Sequence, residues 1–253
     1  MNNKGLIIGI IVVVVAALIG GWWWMMSGAN TGQISNNTNQ TGTQNTNNAE
    51  GTLYVNFTDA AVNMGNVSTV NMTVDKVYVH SQTQGWVTVS TTPQTFSLLA
   101  LKAAGKTAVM AKTNVKADTY DQVWFHMTAV AITETGKTAK QATLPSADFK
   151  MAGAVKVVNG ASSTATLDVL ADQSIYKTDK GEFIFAPVVE FEGRQSATVN
   201  VDADNMATIT NGMVNSNTTA GMDINGEVKA NFKLDLNSKI EINGGVISVK
   251  SVI

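Results

Sequence analysis

The chain has 253 residues, of which 44% are hydrophobic and only 14% are charged, well below the roughly 25% of charged residues in an average soluble domain. A net charge of −2 and a single arginine, Arg194, provide no basic cluster, which excludes nucleic acid as a partner. The chain has no cysteine, which excludes disulfides, thiolate metal sites, a cysteine nucleophile and a lipid anchor on cysteine.

The first predicted element is a membrane-spanning helix. Residues 6–26 (LIIGIIVVVVAALIGGWWWMM) carry no charge, and a helix of this length would be about 31 Å long, which matches the hydrocarbon core of a bilayer. Lys4 precedes the span and places the amino terminus in the cytoplasm. Trp22, Trp23 and Trp24 stand at its other end, where indole rings favour the membrane interface. The pattern predicts a retained signal anchor with the rest of the chain outside the cytoplasm.

Two other fates of this segment stay open. Ser27 and Ala29 are small residues that could precede a secretory cleavage site, although the stretch before them is bulky and apolar. The sequence KGLI at residues 4–7 resembles an archaeal prepilin-type leader, in which cleavage after the glycine leaves the apolar helix on the mature subunit. Ile10 departs from that pattern, because many pilins carry a glutamate there.

A polar linker follows the span. Residues 27–49 carry no charge and are mostly Asn, Thr, Gln and Gly, so they lack the apolar surface that could offset the entropy of ordering. We predict a flexible, disordered linker over residues 27–50. Sequons of the form Asn-x-Ser/Thr make six asparagines of the chain candidates for glycosylation: Asn36, Asn39, Asn56, Asn66, Asn71 and Asn217.

Short alternating runs begin at residue 51 and predict β-strands. In GTLYVNFTD, Leu53, Val55 and Phe57 share one face, and the intervening residues share the other. Similar runs recur, each bounded by Gly, Asn, Asp, Ser or Pro, and so many short strands indicate a sandwich or a barrel. The further runs are Val70–His80, Gly85–Val89, Val123–Ile132, Val155–Val158, Thr164–Val169, Glu182–Phe191, Ala197–Val201, Ala207–Ile209, Glu227–Leu236, Lys239–Ile242 and Val246–Val252.

Turn and helix signals complete the pattern. Four Asn-Gly pairs, a strong signal for a type I′ hairpin turn, begin at residues 159, 211, 225 and 243. Only Ser97–Met110 has helical character, for about two turns, and Gly105 interrupts it. Asp59 is predicted to accept backbone N–H groups where the first strand ends.

Several ordered motifs resemble a family of proteins. These are GTLYVNFTDAA (51–61), VNMTVDKVYVHS (70–81), GWVTV (85–89), TFSLLAL (95–101), VKADTYDQVWF (115–125), LPS (144–146) and GEFIFAPVVEF (181–191). They are similar to a domain-of-unknown-function family of membrane-anchored or secreted β-sandwich proteins of archaea and bacteria. The resemblance covers residues 51–193, with Ala61 in place of the family's proline and Asp118 in place of a glycine. It implies an immunoglobulin-like or transthyretin-like antiparallel sandwich and no activity.

No motif of an enzyme or of a cofactor site is present. The G-x-S-x-G, H-E-x-x-H, P-loop and dinucleotide-binding patterns are missing, so we predict no catalytic residue and no cofactor. His80 and His126 lie in predicted strands, where hydrogen-bonded or exposed side chains are expected; without cysteine, zinc is not expected. Asp202, Asp204 and Asn205 are weak candidates for calcium, because they cluster oxygen ligands. They lack the spacing of an EF-hand, and a solvated turn is the simpler interpretation.

Six aromatic residues fall in predicted strands, where core packing is the default interpretation: Trp86, Trp124, Phe125, Phe183, Phe185 and Phe191. Trp124 and Phe125 are adjacent, so one of them must face away from the core. An exposed aromatic pair on a sheet face would instead indicate carbohydrate binding.

The predicted organisation has three parts. Residues 1–26 form the anchor, residues 27–50 form the linker, and residues 51–253 form an extracytoplasmic all-β domain. Within that domain we distinguish a core similar to the family, 51–193, and a C-terminal hairpin extension, 194–253.

The predicted function is a non-catalytic structural, adhesion or ligand-binding role at the cell surface. The anchor would contact the lipid bilayer, and the domain would contact an unknown surface ligand or protein partner. The first alternative is a pilin-like or filament subunit processed after KG, and the second is a surface hydrolase.

Overall fold

The computed structural model describes residues 49–59, 64–233, 239–243 and 246–250. The predicted anchor and residues 27–48 of the predicted linker, with Lys4, the three N-terminal tryptophans, Asn36 and Asn39, lie outside the described residues. Glu50, predicted as the last linker residue, is the first residue of a strand. In the part of the chain that is described, no helix is long and apolar enough to cross a membrane.

The described chain is built almost entirely of strands, with two short helices. Its elements in chain order are β1 (Glu50–Thr58), β2 (Val67–Ser81), β3 (Gly85–Ser90), β4 (Gln94–Ser97), α1 (Leu98–Ala104), β5 (Thr107–Lys116), β6 (Thr119–Glu134), β7 (Lys140–Gln141), β8 (Asp148–Lys156), β9 (Ser162–Val169), α2 (Ala171–Ser174), β10 (Ile175–Lys177), β11 (Phe183–Phe185), β12 (Val188–Gln195), β13 (Thr198–Val201), β14 (Met206–Thr210), β15 (Met213–Met222), β16 (Val228–Ala230), β17 (Lys239–Asn243) and β18 (Val246–Lys250). The prediction of an all-β domain is confirmed for the described residues.

Two large sheets face each other across one core. The first has eight strands in the order β13-β14-β5-β1-β9-β12-β15-β16. The second has six: β3, β2, β6 and β7 in sequence, with β4 paired to β2 and β8 paired to β6. Strands β10–β11 and β17–β18 form separate pairs. The arrangement is a sandwich-like stack whose apolar inner faces are hidden from water.

The core contains the inward residues of both sheets. Leu53, Val55 and Phe57 of β1 are fully buried, as their alternation predicts. Phe125 of β6 packs edge to face on Phe57, with ring centroids 5.3 Å apart, and stacks on Phe149 of β8 at 5.1 Å. Aromatic pairs with these geometries add to the stabilisation that burial provides.

One pairing departs from the predicted antiparallel sheet. Strand β1 pairs with β9 in parallel, from Thr52 opposite Ser162 to Thr58 opposite Asp168. The chain between them passes through the six-stranded sheet, and such a long connection permits parallel neighbours. Side chains alternate between the two faces of a sheet in parallel and in antiparallel strands alike. The sequence pattern therefore could not show that β1 and β9 are parallel.

Several predicted bounds differ from the observed ones, and a local cause explains the division of one predicted strand. The predicted strand Glu182–Phe191 is divided into β11 and β12 around Pro187, which has no N–H to donate to a ladder. The helix of about two turns predicted within Ser97–Met110 is interrupted at Gly105 as expected, because it ends at Ala104 and Gly105 caps it in a left-handed conformation (φ 58°). The residues after this cap form β5 instead, because they pair with β1.

The Asn-Gly pairs have different outcomes. The pairs at 225 and 243 connect strands that pair with each other, β15 with β16 and β17 with β18. The pair at 159 connects β8 and β9, which lie in different sheets. Asn211 and Gly212 both have positive φ (57° and 73°), but they connect β14 and β15, which are not neighbours in the sheet.

Strands β13 and β14 extend the eight-stranded sheet at one end, and β15 and β16 extend it at the other. Strands β13 and β14 also form a small second cluster on the side of β1 away from the main core. There Val199, Ala207 and Ile209 pack with Tyr54 and Val109. Tyr54 is therefore buried although its neighbours Leu53 and Val55 face the other way.

Candidate ligand-binding face

The outward side of the six-stranded sheet carries the aromatic side chains that the core leaves out. In β6, Phe125 is fully buried and the adjacent Trp124 is half-buried on the opposite side. In β3, the side chain of Trp86 is 40% exposed, and it is the only aromatic residue among the exposed large hydrophobic residues of the described chain. Core packing was therefore the wrong interpretation for Trp86.

Three rings meet on this side of the sheet. Tyr78 of β2 stacks on Trp124, with centroids 4.6 Å apart and planes inclined by 16°. Trp86 approaches Trp124 at 6.1 Å with its plane nearly perpendicular, at 79°. We call the surface formed by Tyr78, His80, Trp86, Trp124, His126 and Lys150 the aromatic face.

Strand register brings these residues together. Tyr78 lies directly opposite Trp124 across the β2–β6 ladder. On the other side of β2, His80 lies opposite Trp86, and their ring centroids are 5.1 Å apart. Directly opposite residues on one face of an antiparallel pair are close enough for their side chains to contact each other.

A lysine completes the face from the next strand. Lys150 of β8 lies opposite Trp124 in the β6–β8 ladder. Its Nζ atom is 4.7 Å from the centroid of the Trp86 ring, within the range of a cation–π interaction. Residues of four neighbouring strands thus contribute to one surface.

Each histidine of the face is held by an aspartate. The Nδ1 atom of His80 lies 2.7 Å from an Asp121 carboxylate oxygen, and that of His126 lies 2.7 Å from an Asp75 oxygen. All four side chains are partly exposed, between 20% and 30%. The aromatic stack therefore stands between two histidine–aspartate pairs.

Both aspartates sit at β-bulges. The register between β2 and β6 shifts across Val74 and Lys76, so Asp75 is an extra residue between them. A second shift lies between His80 and Ser81, opposite the part of β6 that contains Asp121. A bulge redirects a side chain relative to regular alternation, and here each bulge supplies the acidic partner of a histidine.

The hydrogen bonds define what the imidazoles present to solvent. When Nδ1 donates to the carboxylate, a neutral ring keeps Nε2 as an acceptor. Burial acts to raise the pKa of Asp121, but hydrogen bonds from His80 and Gln82 outweigh it, and the pKa lies below the ordinary value. Asp121 is thus a carboxylate at neutral pH and stabilises this orientation of the ring.

A polar network supports the end of the aromatic face where His80 lies. Thr83 and Gln84, in the turn between β2 and β3, both donate to Asp118, and Gln84 also donates to the hydroxyl of Tyr120. The Tyr120 hydroxyl donates to the carbonyl of Lys116. Burial acts to raise the pKa of Asp118, but hydrogen bonds from side chains and from a backbone N–H prevail and lower it to about 2.

We expect the stability of the domain to fall between pH 4 and pH 2, and Asp118→Asn to remove part of that fall. Because the pKa of folded Asp118 is about 2, below the ordinary value of 3.8, its carboxylate stabilises the fold above that ordinary value. The contribution is lost as the pH falls through the folded pKa. Denaturant unfolding of the two proteins at pH 7, 4 and 2.5 measures the difference, expected to be about 1–2 kcal/mol at pH 7 after allowance for solvent screening.

The control for this prediction is Glu190→Gln, which changes an exposed carboxylate on β12 of the other sheet. It should follow the wild-type pH profile. A destabilisation by Asp118→Asn that stays equal at all three pH values would contradict the linkage.

The weak calcium candidates occupy the tip of the β13–β14 hairpin. One Asp202 carboxylate oxygen accepts the N–H groups of Asp204 and Met206, and the other accepts Lys106 at 3.0 Å. The side-chain amide of Asn205 donates to the carbonyl of Val109. These bonds close a turn and fasten it to β5. Within the described part of the chain, no three His, Asp or Glu side chains form a group that could hold a metal ion.

The described glycosylation candidates differ in accessibility. Asn66 and Asn217 are exposed, and Asn71 is half-buried in β2. Asn56 of β1 is fully buried, so the folded domain leaves no room for a glycan there. Asp59 is also buried, and it accepts the N–H of Ala171 at 3.3 Å, a backbone contact as predicted.

The sequence contained only part of the signal for this surface. Alternation showed that Trp124 or Phe125 must point outward, but the contacts with Trp86 and Lys150 depend on strand order. The histidine–aspartate pairs could not be found by spacing, because His80 and Asp121 are 41 residues apart and His126 and Asp75 are 51 apart. Bulges leave no regular pattern in a single sequence.

Comparison with known proteins gives one match. Residues 50–187, more than half of the chain, match a family model described as Domain of unknown function (DUF4382). No curated protein and no solved structure matches the chain.

Proposed function

Because the chain belongs to the DUF4382 family, whose description names no activity, we propose a function from geometry: a non-catalytic module that binds a surface ligand through the aromatic face. The observation that carries this proposal is the exposed Trp86 ring beside the Tyr78–Trp124 stack. Aromatic side chains provide much of the stabilisation of an interface when a partner covers them. An exposed indole contributes little to the stability of the fold.

The two histidine–aspartate pairs favour binding over catalysis. Each pair consists of a base and an orienting acid, as in a catalytic triad. This is the observation that favours the hydrolase alternative. A triad also requires a nucleophile at the imidazole. Among the described residues, His80 and His126 each have their hydrogen bond to an aspartate rather than to a hydroxyl. The pairs are suited to holding ring nitrogens in fixed positions for a ligand.

We place this module at the cell surface on the basis of the sequence. Residues 6–26 would cross the bilayer, residues 27–50 would act as a tether, and Trp22, Trp23 and Trp24 would lie at the outer interface. The immunoglobulin-like or transthyretin-like connectivity that the family resemblance implies is part of the same proposal. A domain tethered in this way could reach a ligand on the same or a neighbouring cell.

Binding to isolated cell envelopes tests the function. The full-length chain in detergent is mixed with envelope fragments, and the bound fraction is measured for wild type, Trp86→Ala and Met213→Ala. We expect the affinity to fall about tenfold in Trp86→Ala, as for loss of a central aromatic contact. Met213→Ala is the matched control, because Met213 is an exposed apolar residue of the other sheet (57%). Equal binding by all three proteins would contradict the proposal.

The filament alternative rests on KGLI and is tested by the mass of the mature chain. An amino terminus at Met1 or Asn2 supports the anchor. Leu6 would support a processed filament subunit, and Asn30 would indicate secretion without a tether.

A further inference from the structure

We propose that the ligand of the aromatic face is a neutral, extended polysaccharide. This inference rests on the binding function proposed above and adds the chemical class of the ligand. Three features of one sheet face carry it: an exposed indole, hydrogen-bonding groups beside that indole, and nearly balanced charge.

The indole of Trp86 provides the apolar contact. Its ring is held at a nearly perpendicular angle to Trp124 and is 40% exposed. The face of an aromatic ring carries partial negative charge. The C–H groups on one side of a sugar ring carry partial positive charge and form a flat apolar patch, so a sugar ring can stack on such an indole.

Polar groups next to the indole could form hydrogen bonds with the hydroxyl groups of a sugar. His80 lies 5.1 Å from Trp86 between ring centroids, and its Nδ1 is hydrogen-bonded to Asp121; in the tautomer of the neutral ring that carries the proton on Nδ1, Nε2 accepts a hydrogen bond. Lys150, whose Nζ atom lies 4.7 Å from the centroid of the Trp86 ring, is a donor. A hydroxyl group both donates and accepts, so acceptors and donors around one ring are the pattern that a sugar requires.

The charges of the face favour a neutral ligand. The carboxylates of Asp75, Asp121 and Asp148 accompany the ammonium groups of Lys76 and Lys150, so the face carries no excess of positive charge from lysine. A phosphate or polyuronate ligand would require a basic cluster or a bidentate arginine. The only arginine of the chain, Arg194, is in β12 of the other sheet.

The shape of the face favours a chain of sugars. Gln122, opposite His80, and His126 are four residues apart on β6, so the two histidine–aspartate pairs are separated by about 14 Å along the strand. The Tyr78–Trp124 stack lies between them. A single sugar would contact one end of this surface, whereas a polysaccharide can contact the stack and both pairs.

Defined oligosaccharides test the ligand class. In full-length chain carrying Trp22→Phe, Trp23→Phe and Trp24→Phe, Trp86 and Trp124 are the only tryptophans, so intrinsic fluorescence reports on the aromatic face. The probes are cellohexaose, mannohexaose and chitohexaose, with hexagalacturonate as the anionic comparison. We expect saturable binding of at least one neutral probe, with a fluorescence change, and weaker binding of hexagalacturonate.

Variants then locate the site by titration calorimetry. Trp86→Ala is expected to lower the affinity for the neutral probe at least tenfold and His80→Ala to lower it severalfold, while Met213→Ala leaves it unchanged. A thermal melt of each variant within a few degrees of wild type shows that the fold is retained, and Trp86→Phe, which keeps a ring, should restore part of the affinity.

The outcomes separate this inference from the function on which it rests. If envelope binding depends on Trp86 but no neutral hexasaccharide binds, the ligand class is overturned and the binding function stays in place. Stronger binding of hexagalacturonate than of the neutral probes also overturns the class. Binding of a neutral probe that Trp86→Ala does not weaken overturns both.

Discussion

Phe125→Ala is expected to lower the free energy of unfolding by roughly 3–5 kcal/mol, the range for removal of a buried aromatic side chain. Phe125 is fully buried, and its ring contacts Phe57 of the eight-stranded sheet and Phe149 of its own sheet. Its loss would leave a cavity between the two sheets. Urea unfolding of the full-length chain, followed by the circular dichroism of the strands, gives the change in unfolding free energy.

The neighbouring residue provides the control. Trp124→Ala removes a larger side chain, but from the half-buried outer side of the same strand. We expect less than half the destabilisation of Phe125→Ala, because the substitution removes only partial burial, the stacking with Tyr78 and an exposed hydrogen bond from Nε1 to Asp148. Equal destabilisation by the two substitutions would show that the outer face is as important to the fold as the core, and would weaken its assignment to ligand binding.

Gly193→Ala is expected to cost about 3 kcal/mol or more, because it adds a methyl group where the two sheets touch. A Cβ atom on Gly193 of β12 would lie 2.0 Å from the carbonyl oxygen of Ala154 in β8. These strands belong to different sheets, and facing sheets ordinarily stand about 10 Å apart. The clash is with backbone, so β8 and β12 would have to separate. Urea unfolding again measures the effect.

Gly136→Ala separates the clash from the conformational preference of glycine. Gly136 has φ +73°, and a Cβ atom there would meet nothing within 4 Å. The cost should be only that of a left-handed alanine, about 1–2 kcal/mol. A Gly193→Ala variant no less stable than Gly136→Ala would show that the sheets move apart easily at this point.

The sequence predicted less of the candidate site than of the core. Alternation in β1 correctly assigned Leu53, Val55 and Phe57 to the core, since burial repeats every second residue along a strand. The same rule left Trp124 and Phe125 undecided, because both are apolar and either could have been the inward residue. Trp86 was assigned to the core by default, and only its position on β3 shows that it is exposed.

The sequence by itself determined the strand-rich character, the family and the residues that alternate into the core, because these depend on neighbours along the chain and on local hydrophobic periodicity. Tertiary structure alone decided the parallel β1–β9 pair, the contact of Gly193 with Ala154, and the meeting of Trp86, Trp124 and Lys150 on one face. The physical reason is that strand order, register and bulges follow from pairing between segments far apart in the chain. A shift of one residue in register would turn each side chain to the other side of the sheet.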